Sequence, residues 1–248
     1  MKLGLISDIH EDIISLEKGL ALLHQNKCDR IVCLGDITGF SPRYYPYTSE
    51  KNANACIELV KAHCSVILSG NHDLFTAQRL TAFRAGIEYP DKWFDLSYEE
   101  RRTLLEKKVW LYEDEQLPDL TGENMAFLKS LPEFSIMDED GYGILFSHFL
   151  YPDISGSLRK KNDDFGDYRD HFLFMRKNNC ILSFSGHMHV GGFEVLNGNG
   201  LRNFKFGKRK LKYRMTFIGL PSVARGRTKN GVTVFDTQSF DIKAIRIK

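Results

Sequence analysis

The strongest constraint on the fold is a set of short apolar runs, each of strand length, that stop abruptly at glycine, carboxylate or histidine. Residues 2–7 (KLGLIS) end at Asp8, residues 31–34 at Gly35-Asp36, and residues 66–68 at Ser69-Gly70-Asn71. Between them, Ile13, Leu16, Leu20 and Leu23 recur at helical spacing, which predicts an amphipathic helix over residues 11–26; Ala53–His63 repeats the pattern. Strands alternating with helices in this way make consecutive βαβ units and a parallel start to a sheet.

Further along, residues 76–131 carry a mainly helical pattern, with Ser97 and Glu100 spaced as a capping box, and read as a helical cover beside the sheet. Strands are expected again at 134–137, 143–147 and 181–184, with a helix over 167–177, and the last stretch, about 193–248, is strand-rich and punctuated by glycine, with strands over 193–196, 201–206, 210–218, 232–235 and 241–247. No internal repeat and no Pro/Gly/Ser linker interrupts the 248 residues, so a single domain is expected. Apolar residues make up 42% of the chain, enough for a core, and 34 Lys+Arg against 32 Asp+Glu exclude a strongly basic coat protein. No apolar run approaches the ~20 residues of a membrane span. Five cysteines without repeated spacing suit reduced thiols, so a cytoplasmic protein with no membrane partner is expected.

The polar residues at the ends of the runs carry the chemistry. They are Asp8-Ile9-His10, Gly35-Asp36, Gly70-Asn71-His72-Asp73, His148 after residues 143–147, and Gly186-His187-Met188-His189 after 181–184. Taken alone, each has an ordinary alternative: a turn, a helix N-cap, or a hydrogen-bonded or exposed histidine. Together they are five of the eight histidines, each following an apolar run. In an open α/β sheet the carboxyl ends of the strands share one rim, so residues distant in sequence converge there. Carboxylates with neutral imidazoles suit Mn, Fe, Zn or Co better than Mg alone. The candidates Asp8, His10, Asp36, Asn71, His148, His187 and His189 outnumber the ligands of one tetrahedral zinc, and two divalent ions bridged by a carboxylate account for them better. His24, His63 and His171 lie in helical stretches and are assigned structural roles.

The ordered set D-x-H, GD, GNHD, H and GHxH, running from Asp8 to His189, resembles the calcineurin-like metallophosphoesterase superfamily, and GDITGFSP at 35–42 is similar to a segment of its small bacterial branch. The resemblance implies an α/β fold, a four-layer αββα sandwich of mixed sheets with a two-metal site at its edge. It also implies that Asp8, His10, Asp36 and His189 hold one ion and that Asp36 bridges to a second, completed by Asn71, His148 and His187. A hydroxide between the ions would attack phosphorus, and His72 would contact the phosphate or protonate the leaving oxygen. Asp12, Phe149 after His148, and Gly219-Leu220-Pro221-Ser222-Val223 depart from the pattern of that branch without removing a ligand.

Arg225, just after that last segment, is a candidate phosphate contact, with a solvated surface arginine as the alternative. Tyr44, Tyr45 and Tyr47 wall the pocket or pack beside it. Between Arg202 and Arg214, lysines and arginines alternate with Phe204, Phe206 and Tyr213 about Gly207, which predicts a hairpin with one cationic face. Such a hairpin guards a sheet edge or guides a nucleic acid toward the site. The expected activity is metal-dependent hydrolysis of a small phosphorylated substrate, a phosphomonoester, phosphodiester or nucleotide. A phosphoprotein phosphatase, a nuclease and a silent polyanion-binding module are the alternatives.

Overall fold

The computed structural model describes residues 1–105, 108–139, 141–159 and 165–248. In chain order the elements are β1 (Lys2–Ile6), α1 (Ile13–Gln25), β2 (Arg30–Cys33), α2 (Ala53–His63), β3 (Val66–Ile67), α3 (Asn71–Thr76), α4 (Tyr98–Leu105) and α5 (Gly122–Ser130). Then follow β4 (Phe134–Glu139), β5 (Tyr142–Ser147), α6 (Phe165–Lys177), β6 (Cys180–Ser185), β7 (Phe193–Asn197), β8 (Gly200–Phe204), β9 (Gly207–Lys210), β10 (Thr216–Gly219), β11 (Gly231–Asp236) and β12 (Asp241–Arg246).

The strands form two six-stranded mixed sheets, ordered β3-β2-β1-β11-β12-β9 and β4-β5-β6-β10-β7-β8. Alternation along each strand explains the layering, because successive side chains point to opposite faces. Leu3, Leu5 and Val32 of the first sheet meet Ile144, Phe146, Leu182 and Phe184 of the second in one core between the sheets. Their neighbours Ile6, Ile31 and Cys33 face outward to Leu16, Leu20, Ile57 and Val60 of α1 and α2. On the other side Leu145 packs on Met175 of α6. Helix, sheet, sheet and helix therefore stack as the four layers expected. Within them β1, β2 and β3 run parallel, as do β5, β6 and β10, so the carboxyl ends of six strands lie on one rim.

Three expectations need correction. The stretch 76–131 is mostly irregular, with α4, α5 and a single 3₁₀ turn at Trp93–Asp95. Gly86, Pro90 and Pro118 interrupt it, and α4 buries only Leu105. It holds together instead around its own small cluster of Trp93, Leu105, Val109 and Leu158. The capping box does form, Ser97 Oγ accepting from the Glu100 amide while Glu100 accepts from the Ser97 amide. Secondly, no hairpin turns at Gly207: β8 pairs with β7 in the second sheet and β9 with β12 in the first. Phe204 and Phe206 both pack against the core between the sheets, so the chain crosses there from the edge of one sheet to the edge of the other. Both strands are exposed edges, and Lys208 pairs with Asp241 at 2.8 Å. Thirdly, the strand expected over 210–218 is two pieces, β9 and β10.

All five cysteines are free thiols, and no helix among the described residues is long and apolar enough to cross a membrane. His171 is structural, as assigned. Its Nδ1 accepts the Tyr151 amide proton at 2.9 Å and its Nε2 bonds Ser183 Oγ at 2.9 Å behind the second sheet. Burial lowers its pKa to about 3 from 6.5. The unfolded chain then binds a proton that the folded chain refuses, so stability is fully present above 6.5 and is lost as pH falls toward 3. Between pH 7 and pH 5 the group alone is expected to remove about 2 kcal/mol. Urea unfolding of the parent and of His171→Gln at both pH values checks this; an equal loss in the two proteins rules it out.

Candidate metal centre

Each candidate ligand is delivered by the turn that follows a strand. Asp8 and His10 follow β1, Asp36 follows β2, and Asn71 opens α3 after β3. From the second sheet His148 follows β5, while His187 and His189 follow β6. The turns are laced together by backbone bonds: Asp8 N–H to Gly35 O at 3.0 Å, Ile9 N–H to Asp36 O at 2.7 Å, and Ala224 N–H to Asp8 O at 3.0 Å. Five of the seven candidates hold left-handed backbone, with φ of 56° at Asp8, 46° at His10, 52° at Asp36, 65° at His187 and 46° at His189. Asp and His tolerate this region better than most residues, but each such conformation still costs of order 1 kcal/mol, which the lacing sustains. Two glycines are required by close approach. A Cβ on Gly70 would fall on Asp36 Oδ1, and one on Gly186 would fall on Ser7 Oγ.

The side chains converge. Asp8, His10 and His189 form one group with ligand atoms within 4.8 Å of one another, Asp36, His148 and His187 form a second, and His10, Asp36 and His72 overlap both. His189 Nε2 lies 3.1 Å from Asp8 Oδ1 and 3.2 Å from His10 Nε2. His148 Nε2 lies 3.0 Å from Asp36 Oδ2, and His187 Nδ1 3.0 Å from Asn71 Oδ1. The structure thus brings all seven candidate ligands to one place.

Backbone carbonyls fix two of the rings. His10 Nδ1 donates to Gly39 O at 3.0 Å and His148 Nδ1 to Leu34 O at 2.8 Å, so both present Nε2 inward, the orientation typical of ligating histidine. His148 Nε2 is buried and faces the Asp36 carboxylate at 3.0 Å without a well-aligned hydrogen bond. With Nδ1 committed to a carbonyl, a buried Nε2 set against two carboxylates is an arrangement that a cation between them satisfies. Residues and chemistry therefore fit divalent metal.

Electrostatics agree with dense packing of opposite charges. Burial pushes the Asp8 carboxyl up, yet His189 and His148 hold it well below the usual range. Asp36 is likewise low, because His148 and His72 outweigh its burial. Burial lowers His148, but the Asp36 carboxylate raises it to about 9. His10 and His187 are driven down to about 3 by burial and by neighbouring histidines, so both are neutral and ready to donate a lone pair.

Around the cluster, several residues have roles that the motifs did not disclose. Asp73 accepts from the amides of Ile37, Thr38 and Gly70 at 2.9 to 3.1 Å, tying the second and third turns together. Glu115 reaches in from the irregular stretch and bonds His72 Nδ1 at 2.5 Å. Nothing in the acidic run Glu113-Asp114-Glu115 distinguishes it from a solvated loop. Tyr112 Oη bonds the Asn71 side-chain amide at 3.1 Å. Of the three loop tyrosines, Tyr45 stacks on His10 with ring centres 4.8 Å apart, Tyr47 donates to His10 O at 3.0 Å, and Tyr44 is exposed. Arg225 stands differently from the phosphate contact expected of it. Its guanidinium makes a bidentate pair with Asp12 at 2.9 Å and reaches Glu50 at 2.6 Å. Asp12 is also the N-cap of α1, accepting from Ser15 N at 3.1 Å. His24 and His63 pair with each other at the surface, 3.3 Å apart.

A carboxylate–imidazole cluster of this kind suits divalent ions that polarise carbonyl or phosphoryl oxygens. The sequence matches the calcineurin-like phosphoesterase family over residues 1–191, and the chain belongs to that family. It is a family of metal-dependent hydrolases of phosphate esters. The chain is 26% identical, over 99% of its own length and 87% of the relative's, to the uncharacterized protein MJ0912 of Methanocaldococcus jannaschii. Its fold matches a metallophosphoesterase of Sphaerobacter thermophilus, with TM-score 0.65 and 18% identity, over 100% of this chain and 88% of that one. The hypothetical protein PH1004 of Pyrococcus horikoshii is similar with TM-score 0.60 and 14% identity, over the same shares.

Proposed function

We propose that the cluster holds two divalent ions and that the protein uses them to hydrolyse a small phosphomonoester or phosphodiester. The observation that carries this reading is the shared position of Asp36. Its Oδ2 is 3.0 Å from His148 Nε2 and 3.9 Å from His10 Nε2, so one carboxylate faces a histidine of each ligand group. Ion pairs in phosphoesterases are typically about 3.5–4 Å apart and need such a bridge. Asp8, His10 and His189 would hold one ion with Asp36; Asn71, His148 and His187 would hold the other. When bound, the ions neutralise phosphate charge and lower the pKa of a water enough to make it a nucleophile near neutral pH.

The chain's own groups supply the rest. The amide of His72 donates to Asp36 Oδ1 at 2.9 Å and fixes the direction of the bridging carboxylate. Glu115 occupies His72 Nδ1, which leaves Nε2 to give a proton to the departing oxygen. Despite burial, Glu115 and Asp36 raise the His72 pKa to about 9, the direction a proton donor needs.

Hydrolysis of p-nitrophenyl phosphate and of the bis-ester, before and after chelation, tests the reading. Turnover is expected to vanish in the chelated protein and return with Mn²⁺, at two equivalents of metal per chain. Full activity at one equivalent would defeat the paired arrangement. Salt-sensitive nucleic-acid binding without hydrolysis would favour a silent polyanion-binding module instead.

A further inference from the structure

The chain contains two tryptophans, and the structure treats them oppositely. Trp93 is 5% exposed and anchors the small cluster of the irregular stretch. Trp110 is 41% exposed and lines a cleft of about 670 Å³ whose other wall residues include Asp36, Asn71, His187 and His189. A large apolar group exposed on a convex surface is ordinary, but one at the mouth of a concave site beside the chemistry is not.

The backbone that carries the indole is held in place. Trp110 N–H donates to Ser157 O at 3.2 Å and Arg159 N–H to Lys108 O at 2.8 Å, and a bridge joins Val109 to Leu158 between them. This short ladder fixes the backbone on both sides of the ring. The Arg159 guanidinium stands 5.3 Å from the ring centre, and a single guanidinium covers one face only. Tyr44, the other exposed aromatic of the cleft, has Arg43 at 5.7 Å and Arg227 at 5.3 Å and so already carries two cations. Arg43 in turn bonds Asp114, linking the tyrosine loop to the segment that carries Trp110.

From this arrangement we infer that the cleft contains a nucleobase subsite with Trp110 as its stacking platform, so that the ester hydrolysed is a nucleotide. The inference rests on the phosphoesterase reading and names its substrate class. A planar base stacks on an exposed indole whatever its hydrogen-bonding edge, and the Arg159 guanidinium beside it adds attraction for the phosphorylated sugar. The cleft volume is in the range that encloses a ligand of mononucleotide size, roughly 300–1,000 Å³.

The test compares adenosine 5′-monophosphate with ribose 5-phosphate, which shares its sugar and phosphate and lacks the base. Each is titrated as a competitor of bis-(p-nitrophenyl) phosphate hydrolysis, so neither needs to be a substrate. The nucleotide is expected to bind roughly tenfold more tightly, and Trp110→Leu to bring that ratio close to one, in line with base–aromatic stacking energies. Nucleotide, and not ribose 5-phosphate, should also quench tryptophan emission in the parent. In Trp110→Leu the quench disappears, while emission from the buried Trp93 reports that the fold survives. Equal inhibition by the two compounds in the parent, or an unchanged ratio in the variant, overturns the subsite. Metal-dependent hydrolysis of the bis-ester in the same assay would show that the phosphoesterase reading stands without it. Absence of hydrolysis with the quench intact would separate the two failures in the other direction.

Discussion

Asp36→Asn is expected to lower kcat/KM for phosphate esters by at least ~10³-fold, because pairing two cations on one carboxylate is worth several kcal/mol of transition-state stabilisation. The amide has nearly the same shape and keeps an oxygen to accept from the His72 amide, so the turn after β2 should survive. What it loses is the negative charge beside His148 and His10. Metal content is therefore expected to fall from the proposed two ions toward one, measured by elemental analysis after dialysis, with circular dichroism unchanged. Activity within tenfold of the parent at full metal content would remove Asp36 from the bridging position.

Glu115→Gln should cost about 10²-fold in kcat with KM little changed, the size typical of a disabled general acid. The Glu115 side chain is buried, and burial raises its pKa while the His72 ring beside it opposes that rise. The carboxylate orients the ring and, with Asp36, supports its proton against the desolvation that opposes it. A neutral amide supports that proton less. The sign follows: activity that needs protonated His72 is present below its pKa and lost above it, so the alkaline limb of the pH–rate profile moves to lower pH in the variant. Glu115→Asp, which restores the charge at shorter reach, should recover part of the loss. An unshifted limb would mean that Glu115 only fills space.

The strand ends were legible in the sequence for a local reason. An apolar run that stops at glycine and a polar residue states where a strand ends and what stands at the rim, and Asp8, Asp36, Asn71, His148 and the His187–His189 pair all follow such stops. Alternation was equally informative about the layers, since Leu5 and Ile6 face different cores. The same alternation misled around Gly207. Phe204 and Phe206 have the periodicity of a hairpin, but both sink into the space between the sheets, and the chain changes sheet there. The helical reading of 76–131 erred because polar residues at helical spacing do not fold a helix without a face to bury.

Arg225 and Glu115 show where local reading ends. A cation after a glycine-rich turn and an acid in a charged run each have many solvated equivalents, and what selects them is a partner far away along the chain. Arg225 meets Asp12 across 213 residues, Glu115 meets His72 across 43, and His10 meets His189 across 179. The sequence alone determined which side chains stand at the rim, since strand period and turn chemistry act over a few residues. Only the tertiary structure decided which carboxylate faces which imidazole and which indole stays exposed. Those pairings exist because two sheets close over a common core, and no short segment carries that information.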